Sequence, residues 1–228
     1  MRYTEEQYKT QFEEEDAVGW DAIDEALLKV YPEQEPRHYG TILKYMLGGE
    51  DPLDGISIYD NHKQIFHRHI VSYGMSELYY SPESAENEFS GWGFEFTFRV
   101  VPFEGDKDAE GTKNEPFWVM NMMQNLARYV FDSKKWFEAY HFIPANGPIR
   151  LESDTKLVGI AFAPDPQLGT IETPNGEVAF LQMVGITQEE LDWLYEDPTT
   201  DRVEELINKM REDNPLLITD LKREKSYV

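Results

Sequence analysis

The sequence predicts an α+β domain: a mostly antiparallel or mixed sheet with helices packed on it. Three observations carry that reading. Residues 91–100 alternate, so that Trp92, Phe94, Phe96, Phe98 and Val100 share one face while Glu95, Thr97 and Arg99 share the other, a one-sided ladder that buries one face of a sheet. Residues 117–131 repeat apolar side chains at helical spacing instead, through Trp118, Met122, Leu126, Tyr129 and Val130, with Met123 and Ala127 widening the stripe. Strand patterns come in runs flanked by helices, with no internal repeat and no long linker, which places residues 1–228 in a single domain.

The elements follow in order. Trp20, Ile23, Leu27 and Val30 recur every three or four residues, predicting a helix over 18–31 that Pro32 stops. The acidic run 13–16 suits its positive N-terminal end. A second short helix is predicted over 41–47, ended by Gly48-Gly49, and residues 51–55 form a turn by composition. Strands are predicted at 56–59, at 67–73 with His67, His69, Val71 and Tyr73 on one face, and at 91–103. Residues 104–116 read as a polar, acidic loop. After the helix over 117–131, Lys134 and Lys135 sit where a helix dipole favours cations. Strands at 156–163 and 177–185 flank the turn signal Thr173-Pro174-Asn175-Gly176. The string Thr187-Gln188-Glu189-Glu190 is a capping box opening a helix. A last acidic helix over 199–211 and a closing strand at 216–218 complete the chain.

Forty per cent hydrophobic and 14% aromatic residues suffice for a core, and no apolar stretch approaches the roughly 20 residues that cross a bilayer. The N-terminus has no apolar run of the kind a secretory signal needs. There is no cysteine, which removes disulfides and thiolate metal sites and points to a reducing, cytoplasmic setting. Forty-four acids against 21 bases give a net charge of −23. Such a surface repels nucleic acid and anionic membrane, and it steers in a basic protein partner. The acidity is uneven: residues 187–213 carry 10 acids and 3 bases, whereas 116–150 carry 2 and 4. The neutral, aromatic segments read as the core and the acidic ones as its surface.

Few residue patterns suggest chemistry. His67 and His69 lie two apart on one strand face, as two metal ligands could, with His141 a conceivable third. Asp51–Gly55 lacks the alternation and distal glutamate of a calcium loop, and Gly91-Trp92-Gly93 leads into a strand where a dinucleotide loop leads into a helix. No serine elbow is present and no carboxylate pair stands out from the rest. The sequence therefore gives no catalytic residue, cofactor or metal. The methionines at 120, 122 and 123 suit either core packing or an adaptable binding surface.

Several strings together are similar to the Suppressor of fused family: Gly19-Trp20-Asp21-Ala22-Ile23-Asp24; Lys44-Tyr45-Met46-Leu47-Gly48-Gly49-Glu50-Asp51-Pro52-Leu53-Asp54-Gly55; His69-Ile70-Val71-Ser72-Tyr73-Gly74-Met75; Gly91-Trp92-Gly93-Phe94-Glu95-Phe96; Leu126-Ala127-Arg128-Tyr129-Val130-Phe131; and Phe180-Leu181-Gln182-Met183-Val184-Gly185. Their order holds over about residues 15–225. The resemblance implies a non-enzymatic binding module like the N-terminal half of the animal proteins, which clamp an extended peptide of GLI-type transcription factors partly by strand addition. Tyr129 matches a tyrosine of the family's peptide groove. The groove's two acids fall near Tyr140 or His141 and near Pro164, where this chain has no carboxylate, so its preferred peptide should differ. The partner-binding residues implied are Tyr129, Tyr140, His141 and Phe142, with 140–142 an exposed strand edge close to Tyr129. Resemblance to single-domain bacterial members implies an immunity protein that binds and neutralises a cognate toxin. Two alternatives stay open: a regulatory peptide-binding module, and a metal-dependent or acid/base enzyme using His67, His69 and nearby carboxylates.

Overall fold

The computed structural model describes residues 3–104, 106 and 115–228, so most of the acidic loop expected at 104–116 lies outside the described residues. Along the chain run α1 (Glu5–Gln11), α2 (Val18–Val30), β1 (Arg37–Gly40), β2 (Gly55–Asn61), β3 (His67–Tyr73), β4 (Phe89–Val100), α3 (Phe117–Ser133), β5 (Phe142–Pro144), β6 (Leu157–Pro164), β7 (Thr170–Thr173), β8 (Gly176–Thr187), α4 (Gln188–Glu196) and α5 (Thr200–Arg211). The strands form one mixed sheet in the order β1-β2-β3-β4-β8-β6-β5, with β7 paired to β8. Among the described strands the central β4–β8 pairing is parallel and the others are antiparallel.

Each face of the sheet is covered. On one, Phe94, Phe96, Phe98 and Val100 meet Ile58, Ile70, Phe162 and Met183 beneath Val119, Met123, Ala127 and Val130 of α3. On the other, α2 buries Ile23 and Leu27 against Tyr59, Val71, Tyr73 and Phe180. Further along that face, α4 and α5 bury Leu191, Leu194, Leu206 and Ile207 against Ala161, Ala163, Val184 and Ile186. The capping box opening α4 forms as read: the Thr187 hydroxyl accepts from the Glu190 N–H, and the Glu190 side chain accepts from the Thr187 N–H.

Several expectations change on contact with tertiary structure. The β4 ladder is not one-sided, because Glu95, Thr97 and Arg99 are as buried as the phenylalanines opposite. The α3 stripe is rotated: Val119, Met120, Met123, Ala127 and Val130 are buried, and Tyr129 is 47% exposed. The helix expected over 41–47 shrinks to a 3₁₀ turn at Tyr45–Leu47, capped by Gly48 in the left-handed region at φ 94°. A short helix is held by burying one face, and here Ile42, Leu43, Met46 and Leu47 all stay exposed. The closing strand at 216–218 becomes a single parallel bridge between Val100 and Thr219, with Leu217 and Ile218 buried.

Because Phe96 lies at the centre of the larger core, Phe96→Ala should destabilise the domain by about 3–5 kcal/mol. Thermal or urea unfolding measures this, and an unchanged midpoint would contradict the packing described.

Candidate functional site

The histidine pair lies inside the molecule. On the second face of the sheet, between the patches covered by α2 and by α4–α5, Arg99 reaches across to Asp165, donating from Nη2 to both carboxylate oxygens at 3.1 and 3.2 Å. His69 donates from Nε2 to Asp165 Oδ2 at 3.0 Å and accepts the Tyr31 hydroxyl at Nδ1. His67 accepts from Arg99 Nη1 at Nε2 and donates from Nδ1 to the Ile65 carbonyl. Thr97 Oγ1 and the Gln167 and Leu168 amides also donate to Asp165, and Gln182 Oε1 accepts from Arg99 Nε.

Every ring nitrogen of both histidines thus has a protein partner, and a guanidinium adjoins them. Burial, reinforced by the Arg99 charge, lowers both imidazoles to a pKa of about 4. Burial alone pushes the Asp165 carboxyl up, but His69 and Arg99 outweigh it and hold the group well below the usual carboxylate range. This is a neutral-histidine, paired-charge interior. His141, just before β5, lies four strand spacings from β3 in the sheet order, on the order of 19 Å, so it cannot join the pair. Among the described residues no three His, Asp or Glu side chains could hold a metal ion.

Of the residues matched to the peptide groove, Tyr129 is exposed, whereas Tyr140, His141 and Phe142, expected as an exposed edge, are half-buried. Tyr129, on the exposed flank of α3, packs its ring 5.8 Å from that of Phe137. Phe137 in turn stacks on Phe162 of β6 at 4.6 Å. Tyr129 is therefore linked to the 140–142 segment indirectly, through Phe137 and Phe162. Tyr140, at φ 67°, packs beside the α4–α5 core and donates its N–H to the Phe162 carbonyl. The His141 carbonyl accepts from the Phe162 N–H, and His141 Nδ1 accepts from the Glu138 N–H. Tyr140 and His141 therefore lie in the turn that enters the edge strand, which begins only at Phe142. The Phe142 ring meets Tyr195 of α4 at 5.4 Å.

Among the described residues strand β5 pairs with β6 alone and ends the sheet. Ile143 faces Ile160, and the Ala145 N–H bonds the Val158 carbonyl. Antiparallel alternation then turns the polar groups of Phe142 and the carbonyl of Pro144 outward. Pro144 has no N–H to offer, which limits pairing along the rest of this edge. Beside the strand runs a groove of about 550 Å³ between α3 and β5, floored by Met122, Leu126, Ile143 and Ile160. No helix of the described residues is long and apolar enough to cross a membrane.

A two-sided mixed sheet whose edge strand has no second strand partner among the described residues, beside exposed aromatic rings, has the anatomy of a binding domain. The chain belongs to the Suppressor of fused family: the model described as "Suppressor of fused protein (SUFU)" matches residues 49–224. It is 35% identical over 217 residues to the Suppressor of fused homologs of Homo sapiens and Mus musculus, covering 90% of this chain and 43% of each of those proteins. The chain therefore spans less than half the length of those relatives. Among solved structures it resembles a chain of the Sufu–Fu complex, with TM-score 0.80, 32% identity, and coverage of 92% of this chain and 93% of that one. Drosophila Suppressor of Fused matches with TM-score 0.78 and 32% identity, over 92% of this chain and 51% of that one. A Neisseria gonorrhoeae homolog shares the fold, with TM-score 0.60 and 16% identity, over 92% and 97% of the two chains.

The histidine interior sets a pH profile. Both imidazoles titrate near pH 4 when folded and near their ordinary value of 6.5 when unfolded. The unfolded chain therefore takes up protons first as pH falls, and stability should drop between pH 6.5 and 4 from this source. Urea unfolding of the protein and of a His67→Gln variant across that window measures it; identical slopes would contradict the assignment.

Proposed function

We propose that this chain is a non-enzymatic protein-binding domain that acts as an immunity protein, engaging a basic segment of a cognate toxin by strand addition at β5. The observation that carries the reading is the edge itself. Phe142 turns backbone groups outward on the strand whose Ile143 and Pro144 line a groove of mixed apolar and polar side chains, and an incoming strand can pair there. A net charge of −23 supports a basic partner and fast, steered association. Family membership supports protein binding, as in the relative solved in the Sufu–Fu complex. The interior commitment of His67 and His69 weighs against the enzyme alternative.

Co-expression with a toxin encoded beside its gene tests the role. The protein should restore growth, and unchanged toxicity would overturn the immunity reading. Salt dependence tests the surface. Edge pairing should survive high ionic strength, whereas docking on the acidic α4–α5 face should weaken steeply. Phe142→Pro and Tyr129→Ala should reduce toxin binding more than charge reversal at Glu204 and Glu205. The opposite ranking, with all variants folded, would place the interface on the acidic face.

A further inference from the structure

Near the start of β4 the sheet is locally opened. Between the paired positions Phe89↔Glu177 and Phe94↔Ala179, β4 advances five residues while β8 advances two. The surplus is taken up by Ser90, Gly91, Trp92 and Gly93, with both glycines in the left-handed region at φ 55° and 82°. A Cβ at Gly91 would lie 2.7 Å from the Met75 carbonyl oxygen, so a larger residue is excluded there. The bulge is pinned by the Trp92 N–H bonding that same carbonyl. The Gly-Trp-Gly string is thus a device for placing one indole, as bulges commonly re-aim a side chain.

That indole lines a recess of about 510 Å³ together with Phe89, Trp136, Phe137 and Glu138. Phe89 and Trp136 are each 52% exposed. The Trp92 and Trp136 rings lie 6.5 Å apart at 37°. Glu138 is held at the rim, where its Oε1 accepts from Trp136 Nε1 at 3.0 Å and its Oε2 lies 3.9 Å from His141 Nε2. Two indole rings, a phenyl ring and one carboxylate are the components that bind an ammonium or guanidinium group. Trp92 already draws a cation: Lys134 Nζ lies 5.7 Å from its centroid, while Lys134 itself does not line the recess.

We propose that the recess formed by Phe89, Trp92, Trp136 and Glu138 is a side-chain site for a lysine or arginine of a basic protein partner. Its rings supply cation–π attraction and Glu138 the counter-charge. The proposal deepens the binding function and rests on it for the partner's being a protein. The site can nevertheless be examined without that partner.

The test is a titration of the full chain with Ac-Gly-Lys-Gly-NH2, Ac-Gly-Arg-Gly-NH2 and the neutral isostere Ac-Gly-Nle-Gly-NH2, read by the indole N–H resonances of Trp92 and Trp136. The cationic peptides should give saturable shifts of both resonances and bind about two- to five-fold tighter than the norleucine peptide, the range that an exposed cation–π contact supports. Glu138→Gln, a surface change that preserves shape, should weaken the cationic peptides and leave the neutral one unchanged. Equal affinity for all three peptides would make the recess an apolar side-chain site and overturn the proposal. So would the absence of saturable shifts, or cationic binding that Trp136→Ala leaves intact while the protein stays folded. A failed titration would still leave toxin neutralisation through β5 standing, and loss of neutralisation with an intact titration would leave the recess standing.

Discussion

The Arg99–Asp165 pair is the interaction around which this fold is arranged. A guanidinium and a carboxylate taken out of water are costly, and they persist only when nearly every remaining donor and acceptor is satisfied. Here the satisfaction comes from five places. β3 supplies His67 and His69, β4 Thr97, β8 Gln182, the turn after β6 the Gln167 and Leu168 amides, and the end of α2 Tyr31 through His69. Removing one charge would leave the other stranded, so the cluster fixes how these elements sit. Neighbouring Glu95 does similar work at the next turn of the ladder. Its carboxylate gathers the Ser72 hydroxyl, the Ser76 hydroxyl and amide, and the Gly74 amide, and so shapes the turn after β3.

That interior explains what was legible in the sequence and what was not. The alternation of Phe94, Phe96 and Phe98 reports burial of one face, and it was readable because apolar residues have no other reason to alternate. The facing set Glu95, Thr97 and Arg99 reads as a solvated face for the same reason. Only the folded chain brings Asp165 and Ser76 within reach of them. His67 and His69 looked like ligands because spacing shows a shared strand face and not what lies opposite. α3 was placed correctly but rotated, since Trp118, Met122 and Leu126 lie at the margin of the core rather than its centre. α1 went unread although Thr4 and Gln7 form a capping box. β1 and β7, of four residues each, have too little pattern to stand out.

The candidate surface was legible only through likeness to relatives. Tyr129 packs through Phe137 on Phe162 on the α3 face, whereas Tyr140 and Phe142 pack on the α4–α5 face, Phe142 against Tyr195, and none of these partners adjoins Tyr129 in sequence. The edge begins at Phe142 because Phe162 of β6 has already claimed the Tyr140 N–H and the His141 carbonyl, and Glu138 the His141 N–H. The same turn carries Trp136 and Glu138 toward the Trp92 bulge. The sheet edge and an aromatic recess therefore adjoin one segment, and both rest on β6 and β8, which the charge cluster ties to β3 and β4.

Native-state amide hydrogen exchange on the protein and on Asp165→Asn tests that dependence most directly. If the cluster joins the elements, losing the charge should lower protection together across β3, β4, β6 and β8, and with them the Phe162 amide that holds the turn before β5. Loss of protection confined to residues 165–169, with the sheet unaffected, would contradict the account.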